Sequence, residues 1–177
     1  MKQKITIHVR LDPARFRRFC RFDNFRRQHR WFVPVMTGMI MITISMALLF
    51  FGKARSETLP GILMGLGIAF PLFCFGIYNI QIESQIAKQN LRSVPEIYTL
   101  VLDQDGISAA GSQGDRTRVE LTWAQMWAAF RYKGDIYLYI SASRAFILPS
   151  GQADVPDEKL WELILGSMDS SKCFNVR

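Results

Sequence analysis

Two stretches of the chain, residues 32–51 and 62–82, contain no Asp, Glu, Lys, Arg or His. Each is close to the roughly 20 apolar residues that a helix needs to cross the hydrocarbon core of a bilayer. In that solvent a spanning segment must satisfy its own backbone N–H and C=O groups, and a helix does so locally. Between the two runs, residues 52–61 read Gly-Lys-Ala-Arg-Ser-Glu-Thr-Leu-Pro-Gly. This short polar segment, bounded by Gly and Pro, predicts the tight turn of a helical hairpin. A simple soluble globule and a disordered chain are both excluded. A cleaved signal peptide is not expected: its apolar region is about 7–15 residues long and starts near the N-terminus. Here the first run is longer and begins after residue 31. With no ionisable group in either run, transport of ions or protons by these two helices alone is not expected.

The net charge of +7 is unevenly placed. Residues 1–31 carry ten Lys/Arg against Asp12 and Asp23, whereas the chain from Glu83 onward carries ten Lys/Arg against twelve Asp/Glu. The basic character therefore belongs to the N-terminal arm, and no nucleic-acid partner follows from it. Positive charge flanking a span stays on the cytoplasmic side. The sequence thus predicts a multi-pass protein of the cytoplasmic (inner) membrane with both termini cytoplasmic.

The arm itself has structure. Ile5, Ile7, Val9 and Leu11 alternate with Thr6, His8 and Arg10, the period of a half-buried strand. Such a strand must pair with a sheet elsewhere. Asp12 and Pro13 then mark a helix start, Asp12 accepting from a first-turn N–H and Pro13 fitting the first helical position. Phe16, Phe19, Phe22 and Phe25 recur every third residue among arginines. An aromatic stripe with a basic flank suits a membrane surface. The residues assigned to that interface are Arg17, Arg18, Arg21, Arg26, Arg27, Arg30 and Trp31. Gly61 and Gly65, spaced as GxxxG, are candidates for close helix packing. Residues 83–95 continue helically, turn polar, and stop at Pro95.

The remainder, 96–177, reads as a small β-domain. Strands over 97–103, 106–110, 118–123, 124–132, 136–140 and 145–148 are joined by turn chemistry such as Asp105-Gly106 and Lys133-Gly134-Asp135. Strands so closely spaced predict an antiparallel meander. Leu160, Trp161, Ile164, Leu165 and Met168 make one face of a closing helix over 156–168. Trp123, Pro149 and Trp161 are assigned structural roles. The expected domains are thus 1–31, 32–82, 83–95 and 96–177.

This order of elements resembles the YcxB-like bacterial membrane proteins. The resemblance rests on Ile5 to Asp12 with Phe16 and Phe19, on Asp105-Gly106-Ile107, and on Leu121-Thr122-Trp123 with Met126. It extends to Ile136-Tyr137-Leu138-Tyr139 and Phe146-Ile147-Leu148-Pro149. It covers nearly the whole chain and contains no catalytic motif. It implies an α+β membrane protein: a two-helix transmembrane hairpin, a pleckstrin-homology-like β-domain closed by a C-terminal helix, and an N-terminal strand joining the sheet. After Pro149 this chain has Ser150-Gly151-Gln152-Ala153 where the family pattern continues with a lysine, so no basic pocket is expected there.

Other chemistry is not signalled. Asp103-Gln104-Asp105-Gly106 echoes a calcium loop, but counting from Asp103 places Ser108 and Gly114 where an EF-hand needs Gly and Glu. Three cysteines, Cys20, Cys74 and Cys173, form no CxxC pair, and His8 and His29 are isolated. No phosphate loop or nucleophile elbow is present. The expectation is a non-enzymatic protein without cofactor or metal, whose partners are the lipid bilayer and a protein or peptide, with a homo-oligomer possible. Its function would be to display the β-domain on the cytoplasmic face for protein, peptide or lipid binding. The alternative is a self-associating structural subunit of a membrane assembly.

Overall fold

The computed structural model describes residues 4–51, 58–93, 96–111 and 118–176. Most of the expected 52–61 turn, Pro95 and all of the expected 111–115 turn beyond Gly111 fall outside them. The chain divides into two compact units, residues 20–89 and a domain assembled from 1–19 and 90–177. It is an α+β protein with two long apolar helices and sheets built almost wholly of antiparallel strands.

In the domain, β1 (Ile5–Arg10) pairs antiparallel with β2 (Glu96–Leu102), Ile5 opposite Leu102 and Val9 opposite Tyr98. The alternation read at 5–11 is therefore a sheet register, and Ile5, Ile7 and Val9 are buried in the common core. β3 (Gly106–Gly111) and β4 (Arg118–Thr122) complete a sheet in the order β1-β2-β3-β4. The outer edge of β1 is closed by residues 152–154. The Asp154 N–H donates to the Thr6 carbonyl (3.4 Å). The Arg10 N–H donates to Gln152 Oε1 (2.8 Å), and Gln152 Nε2 donates back to the Arg10 carbonyl (2.7 Å). An edge so covered offers no row of unpaired backbone groups.

The expected single meander is corrected to two sheets. The chain leaves β4 in a 3-10 turn, Trp123–Gln125, instead of bending within a strand. Burial of Trp123, anchored by its Nε1–H donating to the Asp103 carbonyl (2.8 Å), fixes that break. β5 (Ala128–Tyr132), β6 (Asp135–Ser141) and β7 (Arg144–Leu148) form the second sheet. Lys133 and Gly134, both at positive φ (50° and 89°), make the two-residue turn between β5 and β6. A further strand, β8 (Cys173–Val176), was not foreseen and adds parallel to β5, giving the order β7-β6-β5-β8. Helix α4 (Asp157–Ser167) packs Leu160, Trp161 and Ile164 into the core shared with Leu100, Leu102, Ile107 and Leu138.

The second sheet is buried on both faces at β6, because α1 (Pro13–Arg21) lies on its outer side. Asp12 caps α1 as expected, accepting from the Arg15 N–H at 2.6 Å. Phe19 meets Tyr137 edge-on at 5.1 Å and Tyr139 at 6.4 Å.

In the other unit, a π-helical stretch, Phe22–Arg27, leads to α2 (Phe32–Phe51) and α3 (Thr58–Lys88). Both helices are long and apolar enough to cross a membrane. The helix continues past residue 82 as expected, α3 running unbroken to Lys88; it ends there, short of Pro95, and a 3-10 turn, Leu91–Ser93, follows. Gly61 and Gly65 do not make the close helix approach within this chain. A Cβ on Gly61 or Gly65 would meet nothing within 4 Å. The close approach is Gly38 against Gly67. A Cβ on Gly38 would collide with the Gly67 carbonyl oxygen and lie 2.8 Å from Pro71 Cγ; one on Gly67 would lie 2.9 Å from the Gly38 carbonyl oxygen. Pro71 has no N–H, so it frees the carbonyl four residues earlier, which is Gly67. About two turns away, the buried Ser45 hydroxyl donates to the Pro60 carbonyl at 2.7 Å. These pairings run the two helices antiparallel.

Two predictions follow from this packing. Gly38→Leu or Gly67→Leu overpacks the α2–α3 contact and should cost about 1–3 kcal/mol. Gly61→Leu and Gly65→Leu should leave thermal unfolding of the detergent-purified monomer unchanged. Ile7→Asp combined with Val9→Asp puts two charges into the domain core and should remove at least about 3 kcal/mol. Hydrogen exchange at amides 98–102, far away in sequence, should then accelerate with that at 5–10.

Candidate binding surface

α1 is held to the second sheet by an ion pair to a buried carboxylate as well as by Phe19. Asp135 begins β6 and is only 1% exposed. Its Oδ2 accepts from Arg18 Nη1 at 3.0 Å, and its Oδ1 accepts from the Ser150 N–H at 3.1 Å. Arg15 Nη2 in turn donates to the Ser150 carbonyl (3.3 Å). A carboxylate taken out of water needs such partners, because an unpaired one is strongly destabilising. This corrects the assignment of Arg18 to a lipid interface: it is committed to Asp135.

The phenylalanine stripe is corrected in the same way. Phe16 and Phe22 are buried, and Phe19 packs on the sheet. In the unit of residues 20–89, Phe25 stacks on Phe75 (5.9 Å) and meets Tyr78 edge-on (5.8 Å). The Tyr78 hydroxyl donates to the Cys20 carbonyl (2.6 Å). Arg27 Nε binds Asp23 at 2.5 Å. Arg21, Arg26, Arg30 and Trp31 are exposed, and Arg17 is half-buried. Trp123, Pro149 and Trp161 are all buried. Around Cys20, burial and then the nearby Asp23 push the thiol up to about 11. It is not a reactive nucleophile at neutral pH.

The edge of β7 is closed by a side chain. The Tyr98 hydroxyl accepts from the Ile147 N–H (2.8 Å) and donates to the Ile147 carbonyl (3.1 Å). Burial raises this phenol well above the ordinary tyrosine range.

Open grooves lie on the domain. One, about 710 Å³, is lined by Gln104, Lys159, Glu162, Leu163, Gly166 and Ser167 beside α4. Another, about 280 Å³, lies along the β3–β4 strands near Asp103, Asp105 and Glu120. At the hairpin between β2 and β3, Asp103 Oδ1 accepts from the N–H groups of Asp105 and Gly106, both at 2.9 Å, as in a plain turn. Among the described residues no group of three His, Cys, Asp or Glu could hold a metal ion.

The outer face of the second sheet offers a different surface. Beyond the part covered by Phe19, Phe130 meets Tyr139 edge-on (5.5 Å) and stacks on Phe174 of β8 (5.0 Å, 18°). Trp127 meets Tyr139 edge-on at 6.1 Å, and its backbone N–H donates to the Tyr139 carbonyl at 2.8 Å. Trp127 and Phe174 are 46% and 45% exposed. They are the exposed Trp and Phe side chains among the described residues of the domain. Sequence reasoning missed this strip because β8 supplies half of it, and four residues after a polar turn carry too short a pattern to signal a strand. No protein-family model, no curated protein and no solved structure matches the chain.

Tyr98→Phe tests the edge closure. It leaves a buried N–H and carbonyl without a partner and should cost about 1–3 kcal/mol at pH 7. Because the folded-state phenol is raised, wild-type stability is full below about pH 10 and falls as pH rises past the unfolded tyrosine value. In the variant this contribution to the alkaline loss should vanish, which urea titrations between pH 7 and 11 measure.

Proposed function

We propose that this chain is an integral membrane protein of the YcxB-like type, with α2 and α3 as its two spans. Its pleckstrin-homology-like β-domain lies on the cytoplasmic face of the inner membrane and acts as a non-enzymatic binding module for a protein, peptide or lipid partner. The observation that carries this is the β1–β2 pairing. Strands on either side of the apolar pair are hydrogen-bonded to each other, so both flanks must lie on one side of any membrane the helices enter. Two spans meet that requirement and one does not. The exposure of the helices supports it. Only 11% and 6% of their most apolar windows, at mean hydropathy 2.1 and 1.9, are buried. A helix apolar all round and unburied by protein is suited to lipid. The ten basic residues before Phe32 favour the cytoplasmic side for the domain. Two sheets sharing one core under a C-terminal helix support the pleckstrin-homology-like assignment.

One observation favours the alternative, a self-associating structural subunit. Gly61 and Gly65 have open space beside them, room for a helix from a second copy. Purification in detergent separates the two. A second protein at fixed ratio supports the module, and a homo-oligomer broken by Gly61→Leu with Gly65→Leu supports the subunit.

The topology has its own test. A cysteine introduced at residue 56 should label with an impermeant maleimide in intact cells, and one at the C-terminus should not. Labelling at the C-terminus with none at residue 56 reverses the orientation.

A further inference from the structure

We infer that the Trp127–Phe130–Phe174 strip of the second sheet is a membrane-docking surface that seats the β-domain on anionic lipid headgroups. This rests on the reading of α2 and α3 as spans. The two exposed rings are the side chains best suited to the headgroup region, where an aromatic body meets apolar surface and water at once. The cations are placed to match. Lys133 Nζ lies 5.5 Å over the Tyr132 ring, one rung along the same sheet. Lys172, whose Nζ reaches the Met126 carbonyl at 3.5 Å, directly precedes β8. Basic side chains near the bilayer surface are drawn to anionic lipid. Asp135 on this face is buried and paired with Arg18. The exposed Asp169 lies beside Lys172 and offsets part of its charge, so Lys133 is the cation that carries the match.

Chain connectivity brings the strip within reach. Phe19 of α1 covers the neighbouring part of the same face, and the first apolar helix begins at Phe32. Thirteen residues span at most roughly 45 Å even when fully extended. A surface tethered so closely meets the bilayer at a high effective concentration, so a weak contact suffices. The size of the strip argues against a protein occupant. Two rings of up to about 250 Å² each, each about half exposed, offer on the order of 200 Å². A stable protein interface needs about 800 Å² per partner.

The test uses the full-length protein in phosphatidylcholine vesicles with and without one quarter phosphatidylglycerol. In a Cys20→Ser, Cys74→Ala, Cys173→Ala background, an environment-sensitive dye is attached at Trp127→Cys, Phe174→Cys, Ala110→Cys on the first sheet, or Phe73→Cys in α3. Lipids carrying a mid-chain nitroxide should quench the dye at 73, and lipids carrying a headgroup-level nitroxide should quench it at 127 and 174. The dye at 110 should stay unquenched, and quenching at 127 and 174 should fall without phosphatidylglycerol. If 127 and 174 behave like 110 while 73 is quenched, the docking inference is overturned and the spans stand. If 73 is unquenched as well, the membrane reading itself fails. Intrinsic fluorescence of otherwise unmodified protein gives a second measurement. Brominated lipid should quench the wild type more than Trp127→Phe by at least about one fifth of the signal. Equal quenching, or protection of Trp127 that depends on protein concentration and not on bromolipid, assigns the strip to another role.

Discussion

The pairing of β1 with β2 joins residues 5–10 to 96–102 across both apolar helices. Every other feature of the domain depends on it. β1 supplies Ile5, Ile7 and Val9 to the core, and its outer edge receives the segment at 152–154. Without β1, β2 would be an edge with its apolar face half open. The entropic cost of closing so long a connection grows only logarithmically with length. It is reduced further when the connection is itself a packed hairpin whose ends lie together. Gly38 against Gly67 and Ser45 on Pro60 provide that packing.

Asp135, Tyr98 and Trp123 bring polar groups into the domain interior, and these three have defined tasks. Asp135 joins α1, β6 and the loop at Ser150 through Arg18 and a backbone N–H. The Tyr98 hydroxyl takes the place of a strand at the edge of β7. Trp123 ties the break between the sheets to the β2–β3 turn. Each satisfies a backbone or carboxylate group that would otherwise be buried without a partner, so each makes one arrangement of the sheets better than its competitors. At the surface, Arg131 and Glu158 pair at 2.8 Å between β5 and the start of α4. That guanidinium holds the exposed Glu158 carboxyl below its ordinary range. Solvent screening leaves such a pair a small part in stability.

Long-period and short-period patterns were legible to different degrees. The uncharged run at 32–51 became a helix with the same limits, since hydrophobic content over 20 residues leaves little ambiguity. The alternation at 5–11 and the Asp12-Pro13 start were equally plain. The phenylalanine repeat was misread. Its spacing marks an apolar helix face, but spacing does not say whether lipid or protein covers that face. Tyr137 and Tyr139 do so here for Phe19. Gly61 and Gly65 matched a packing pattern that Gly38 and Gly67, on different helices, actually satisfy.

What the sequence determined by itself was local: which segments are helix, which are strand, and that residues 5–11 needed a sheet to join. Those follow from side-chain period and backbone hydrogen-bonding demand, both of which act over a few residues. The tertiary structure alone decided that the strands divide into two sheets and that Arg18 serves Asp135. It alone brought β8 beside β5 to complete the strip with Trp127. These are contacts between residues far apart in sequence, such as Ala129 with Cys173 and Arg18 with Asp135. They are selected by the packing of one shared core, and no periodicity in the chain encodes them.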